Sequence, residues 1–185
     1  MHVGHWAELD GLAEAAYAEF GRVDVLVNNA GMSPVYGAVT EVSEELFDKV
    51  IGVNLKGAFR LTALVGTRMA AGDGGSIINI SSAAAVRPRS DVLPYAAAKA
   101  GLNALTEGFS KAFGPTVRVN TIMAGPFLTD ISKAWDPKIL ERGMPHHALG
   151  RAGQPPEIVG AAMFLATDAS SFVTGTVVRV DGGIP

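Results

Sequence analysis

Four short stretches of the chain are rich in Val and Ile: "VDVLVN" (23–28), "SIINIS" (76–81), "VRVNTI" (117–122) and "TVVRVD" (176–181). The first is apolar at four of its six positions and the second at three, each holding adjacent apolar residues rather than a strict alternation. Runs of this kind suit strands buried on both faces, as in a parallel sheet. Between them the apolar residues recur at helical spacing. Trp6, Leu9, Ala13, Ala16 and Phe20 line one face of a first helix, and Gly21 can stop it. The segment "SEELFDKVIGVNLKGAFRLTALVGTRMAA" (43–71) predicts one long second helix. Ser43 can cap it, and Glu44 and Glu45 suit the positive end of its dipole. Leu46, Val50, Val53, Leu61, Leu64 and Met69 form its stripe, with Phe47, Ile51, Leu55 and Phe59 on other faces. A third helix holds "YAAAKAGLNALTEGFSKAF" (95–113). A fourth is "PPEIVGAAMFLAT" (155–167), opening on proline, where the missing N–H is harmless.

Strands alternating with helices predict an α/β fold of parallel βαβ units with right-handed crossovers. The pattern opens on a helix and gives a half sheet of four strands, with "VDVLVN" as an apolar edge. Apolar edges are usually covered or paired.

Composition narrows the function. At 185 residues, 48% hydrophobic and 18% charged, the chain suits one domain over 1–185 with a full core. A net charge of -3 supplies no basic field for nucleic acid or anionic lipid. The absence of cysteine excludes a disulfide framework and thiolate metal sites, and is compatible with a reducing, cytoplasmic location. No apolar run approaches the ~20 residues that span a bilayer, and no secretory signal is visible. "GTRMAAGDGGSIINISSAAAV" comes nearest, but Arg68 and Asp73 interrupt it.

In open parallel sheets, ligands bind beyond the carboxyl ends of the strands. "NNAG" (28–31) follows the first strand, with two amides and then small residues that let a ligand approach the backbone. Ser81 and Ser82 follow the second, where they could equally serve local backbone groups. "MAGPFLTD" (123–130), with Thr129, follows the third, and "DGG" (181–183) the fourth. Asn54 is an amide inside an apolar stripe and needs partners if buried. Tyr95 and Lys99, at i and i+4, share a helix face with only alanines between them. The pair could be an exposed turn of good helix formers or a phenol beside an ammonium. His146 and His147 are adjacent in a Pro-bearing loop, and no metal site is expected. "GFSKAFG" lacks the spacing of a nucleophile elbow.

Taken together, these residues resemble the short-chain dehydrogenase/reductase family of Rossmann-type oxidoreductases. "NNAG", the Asn of "VNLKG", "INISS", "YAAAK", "VRVNTI", "GRAGQPPEI" (150–158) and "FVTGTVVRVDGG" (172–183) occur in the family's order. Ser82 and Tyr95 stand at the family's serine-to-tyrosine spacing. The resemblance implies a doubly wound parallel sheet and interconversion of a secondary alcohol and a carbonyl with NAD or NADP. It implies Tyr95 as general acid/base, with a pKa lowered by the Lys99 ammonium. Ser82 would bind the reacting oxygen, and Asn54 would help hold a proton-relaying water. Asn28, Ala30 and Gly31 would lie along the adenosine ribose. Lys99 would hold the nicotinamide ribose beside Tyr95, and Phe127 and Thr129 would contact the carboxamide or phosphates. Residues 126–153 would form a substrate loop, its apolar Phe127, Leu128, Ile131, Trp135 and Met144 facing the ligand and its backbone the least ordered. The family's small-molecule substrates and homodimeric or homotetrameric assembly are likewise implied.

Two features depart from the family. Ala124-Gly125 replaces the usual Pro-Gly, and proline would have fixed φ. The glycine-rich strand-to-helix turn that binds pyrophosphate does not occur in residues 1–185. The expectation is the C-terminal two-thirds to three-quarters of a family domain, binding nucleotide weakly by itself. The alternative expectation is a non-catalytic remnant serving assembly or binding.

Overall fold

A computed structural model describes residues 2–130, 132 and 144–185. Helix α1 (Trp6–Phe20) leads into strand β1 (Val25–Asn28). The predicted long helix is α2 (Glu44–Ile51), a π turn (Gly52–Lys56) and α3 (Gly57–Ala71). Then come β2 (Gly75–Ser82), α4 (Leu93–Phe113), β3 (Val117–Ala124), α5 (Val159–Ala166) and β4 (Val177–Val180). The strands form one parallel sheet in the order β1-β2-β3-β4. The α/β class and parallel order match the sequence reading. Strand β1 is two residues shorter than the apolar run that signalled it.

The core has two layers because side chains alternate across the sheet. Ile77, Val117 and Val119 face α1, α3 and α4, where Ala13, Val65 and Met69 meet them. Ile78 and Ile122 face the other way and pack on Leu165 of α5. This corrects the expectation of uniformly right-handed crossovers. The three steps across the sheet run in one direction, but the third passes over the opposite face and so has the opposite hand. Polar anchors hold α5 there. Arg118 donates to the carbonyls of Leu165 at 2.9 Å and Thr167 at 3.2 Å, and Ser76 Oγ donates to Leu165 O at 2.7 Å. A guanidinium on the last carbonyls also complements the helix dipole.

The stripe of α1 is buried only at Leu9 and Ala13. Trp6, at the start of the helix, instead stacks on Phe59, with ring centroids 6.0 Å apart, under the Arg60 guanidinium. Gly21 stops the helix at φ +75°, as expected. The β1 edge remains open among the described residues, with Val27 46% exposed.

Between β1 and β3 the interior is polar. Asn28 Nδ2 donates to Thr62 Oγ1 and to Asn79 Oδ1, and Asn79 Nδ2 donates to Thr106 Oγ1. Thr106 in turn shares a 2.7 Å hydrogen bond with Thr121. These side chains are buried, so each bond prevents the loss of an unsatisfied group. The chain of bonds ties β1, β2, β3, α3 and α4 just beneath the carboxyl ends of the strands.

Candidate active site

Helix α4 packs against β2 and β3, with Ala96 and Ala98 buried. These alanines let the helix come close to the sheet. Lys99, one turn on, is only 3% exposed, and its Nζ donates to Ile80 O at 2.7 Å. Ser81 Oγ grips the same turn by donating to Lys99 O. Ser82, the last residue of β2, lies close enough to the Tyr95 phenol to pull its pKa down, and accepts from Ala84 N at 3.2 Å. The Lys99 ammonium lies 5.7 Å from the Tyr95 ring centroid.

The electrostatics differ from expectation. Desolvation pushes the Tyr95 pKa above its ordinary value, against a smaller downward pull from Ser82. Lys99 exerts no dominant pull. Desolvation lowers its own pKa from 10.5 to about 8. Burial therefore outweighs attraction between the two. The sequence displays the neighbour but not the depth at which the pair is set.

Asn54 sits in the π turn between α2 and α3 and is 1% exposed. Such one-residue bulges recur at functional sites. Its Nδ2 donates to Val50 O and to Met32 O, both at 2.9 Å, and its Oδ1 accepts from Met32 N at 3.2 Å. The side chain is thus engaged with backbone and fixes the loop after β1. Gly31 lies against it: a Cβ there would stand 3.0 Å from Asn54 Oδ1 and 3.6 Å from Lys99 Nζ.

These elements enclose a cleft of about 380 Å³ at the carboxyl ends of β1, β2 and β3. Gly31, Ser82, Tyr95, Lys99, Phe127 and Thr129 line it together, as the sequence suggested. Asn28 does not: its side chain belongs to the buried network, so any contact from it must be through backbone. Ala30 and Asn54 are also outside the lining. Sequence reading missed Asn29, Ser33, Pro155 and Ile158 in the wall. Pro155 and Ile158 reach it because Phe127 and Gly153 form a parallel bridge, with Leu128 N donating to Gly153 O. "GQPPEI" was visible as a motif, but nothing in it signalled that pairing.

The Ala124-Gly125 departure is held by packing. Gly125 N donates to Val180 O, and a Cβ on Gly125 would stand 2.6 Å from Asp181 Cα. A second, more open hollow of about 490 Å³ adjoins at Thr129 and Pro155. Of the expected substrate-loop residues, Ile131 and Trp135 lie outside the described residues, as does much of the segment expected to be least ordered. Met144 opens a short 3₁₀ turn (Met144–His146).

Among the described residues, no helix is long and apolar enough to cross a membrane. Residues 1–185 match the model of a family described as enoyl-(acyl carrier protein) reductase. A 3-oxoacyl-[acyl-carrier-protein] reductase from Thermotoga maritima is 38% identical over 174 residues, covering 94% of this chain and 70% of the relative. An L-rhamnose 1-dehydrogenase (NAD(P)(+)) from Azotobacter vinelandii is 39% identical, covering 96% and 72%. The structure of a gluconate 5-dehydrogenase from Burkholderia cenocepacia, solved with NADP and tartrate, superposes with a TM-score of 0.93 at 32% identity, covering 98% and 72%. The cleft, the parallel sheet and these likenesses agree: the chain belongs to the short-chain dehydrogenase/reductase family of oxidoreductases.

Proposed function

We propose that this chain forms the nicotinamide side and proton-handling machinery of an NAD(P)-dependent enzyme that interconverts a secondary alcohol and a carbonyl. The observation that carries the reading is the Ser82–Tyr95–Lys99 cluster, gathered in one cleft with Tyr95 and Lys99 desolvated. The dinucleotide would supply hydride transfer at its nicotinamide. The cleft suits that end of it: Gly31 leaves the backbone open beside Lys99, and Phe127 and Thr129 stand across from it. Neither NAD nor NADP is favoured by these residues.

In carbonyl reduction, Ser82 Oγ and the Tyr95 hydroxyl both donate to the reacting oxygen, and Tyr95 gives up its proton to it. A phenol with a raised pKa is fully protonated at neutral pH, the state that direction needs. In oxidation, Tyr95 takes the proton back. The Lys99 ammonium stabilises the phenolate between these events and has donors left for a ribose hydroxyl. Asn54 acts at one remove, holding Met32 and Gly31 in place. Phe127 and Leu128 favour a substrate with an apolar portion.

Exposed Val159, Met163, Phe164 and Phe172 favour self-association, and a homodimer or homotetramer is part of the proposal. A monodisperse monomer by light scattering at micromolar concentration would count against that assembly. The same exposure is what a purely assembling, non-catalytic chain would display, but such a chain has no need of a desolvated Lys99. The test of the catalytic reading is nucleotide-dependent turnover after the glycine-rich segment of a relative is fused ahead of Met1. Carbonyl reduction linked to nicotinamide oxidation is expected. Tight nucleotide binding without turnover of any alcohol or carbonyl would favour the assembly reading.

A further inference from the structure

We infer that the N-terminal loop at Val3 and Gly4 is a wedge that seats the π turn and thereby holds Asn54 against Met32. The loop lies directly on the turn. Gly57, the residue closing the turn, has no room for a side chain: a Cβ would stand 2.4 Å from Val3 O and 3.2 Å from Val3 C. These are backbone atoms, which cannot swing aside as a side chain would. Gly52, at the other end of the turn, has room: a Cβ there would meet Gly4 O at 3.7 Å and Gly4 Cα at 3.9 Å, ordinary contact distances. From the loop side, a Cβ on Gly4 would stand 3.0 Å from the His2 ring and 3.3 Å from Val53 Cγ2. The loop therefore occupies a groove formed by Gly52, Val53 and Gly57, and Asn54 projects from the same turn.

A π turn is a local defect in a helix and needs outside support to persist. Here one side is supported by the two-way bonding of Asn54 to the Met32 backbone, and the other by the loop. Gly57 N donates to Gly52 O, so both glycines of the groove also close the widened turn. Gly57, Val3 and Gly4 are positioning residues: they touch no part of the cleft lining and act through Asn54. What Asn54 is held for rests on the oxidoreductase reading; that it is held does not.

The test compares Gly57→Ala, Gly52→Ala and Gly4→Ala. On helix propensity alone both helical changes should raise the unfolding midpoint by about 2 °C. The wedge predicts opposite signs, with Gly52→Ala neutral or stabilising and Gly57→Ala destabilising. Amide exchange at Met32, whose N–H bonds Asn54 Oδ1, reports on Asn54 directly. Gly57→Ala should speed it about tenfold or more, and Gly52→Ala should leave it within about twofold of the parent. Should Gly57→Ala fail to fold, Gly4→Ala presses the loop against Val53 of the same turn, and against the His2 ring, and should show the same loosening at smaller size. Unchanged Met32 exchange in both Gly57→Ala and Gly4→Ala overturns the inference. So does equal loosening in Gly52→Ala, which would make the effect a general one on the helix. In the fused enzyme described above, Gly57→Ala should lower kcat at least about threefold with KM nearly constant; loosened Met32 with full kcat would overturn the positioning role. An unaltered enzyme with no turnover would instead sink the oxidoreductase reading, and Met32 exchange would still decide the wedge.

Discussion

At the β2–α4 end of the cleft the polar groups are held from several directions. Lys99 is gripped at its ammonium by Ile80 and at its carbonyl by Ser81, and Ser82 accepts from Ala84 N beside Tyr95. At the β1 end, among the described residues, the strand itself is paired on one side only. Strand β1 pairs with β2 and then faces the open, with Val27 exposed, and the loop beyond it offers backbone and small residues. Proton handling needs a few groups placed to within a fraction of an ångström, and one helix on one strand can supply them. Holding a dinucleotide pyrophosphate needs a row of oriented N–H groups at a helix N-terminus, a feature the glycine-rich turn would bring. On the proposed reading, the chemistry is concentrated at one end and the nucleotide is held mainly at the other.

The largest effect follows from that division. The 185-residue chain by itself should bind NAD(H) and NADP(H) more weakly than about 100 μM, roughly 5.5 kcal/mol. Fusion to a relative's glycine-rich segment should tighten the preferred nucleotide at least about a hundredfold. Calorimetric titration of both forms with all four nucleotides checks this; a tight complex with the shorter form would erase the contrast between the two ends.

Next comes Lys99→Met, which should abolish turnover and nucleotide affinity while leaving the fold as stable or more so at neutral pH. Folded Lys99 loses its proton at about 8 and the unfolded residue near 10.5, so between those values the unfolded chain holds more protons. Stability should therefore rise with pH across that window, by as much as roughly 3 kcal/mol. Toward its upper end Tyr95 opposes the rise, because its raised pKa keeps the folded state protonated. Denaturant titrations at about pH 7 and about pH 9.5 should show the rise in the parent and its loss in Lys99→Met.

Asn79→Leu tests the network beneath the cleft. It removes the donor to Thr106, whose hydroxyl keeps its bond to Thr121, and one acceptor of Asn28 Nδ2, leaving a buried N–H unpaired, and should cost about 1–3 kcal/mol by urea unfolding. A change under about 0.5 kcal/mol would mean that water or rearranged side chains replace those bonds.

The smallest effect is expected at Tyr36. Its hydroxyl accepts from Leu93 N at 2.8 Å, at the first residue of α4. The preceding Val92 makes no side-chain cap, and Pro94 has no N–H to be satisfied. Tyr36→Phe should speed exchange at the Leu93 amide and cost less than about 1 kcal/mol, since the bond is exposed.

The same contrast separates what the sequence revealed from what it concealed. Strand ends, the i,i+4 pairing of Tyr95 with Lys99 and the parallel order of strands follow from periodicity and from the rule that ligands bind beyond strand ends. The π turn was hidden because one extra residue in a helix leaves the stripe nearly intact. Asn54 read as a buried amide in need of partners, but its partner is the backbone of Met32, and backbone carries no residue-type signal. The opposite hand of the third crossover depends on Arg118, Ser76 and Leu165, which meet only in three dimensions. The raised Tyr95 pKa was missed because spacing reveals a charged neighbour but not how deeply the pair is buried.

The central claim is that the Tyr95 proton is the one transferred. The most direct test is kcat of Tyr95→Phe in the fused enzyme at saturating nucleotide and carbonyl substrate, with nucleotide affinity measured alongside. Affinity should be unchanged and kcat should fall below about one hundredth of the parent, a barrier increase of roughly 2.7 kcal/mol or more. A variant that keeps more than about a tenth of the parent kcat, less than roughly 1.4 kcal/mol, would contradict the claim and assign the proton to another group.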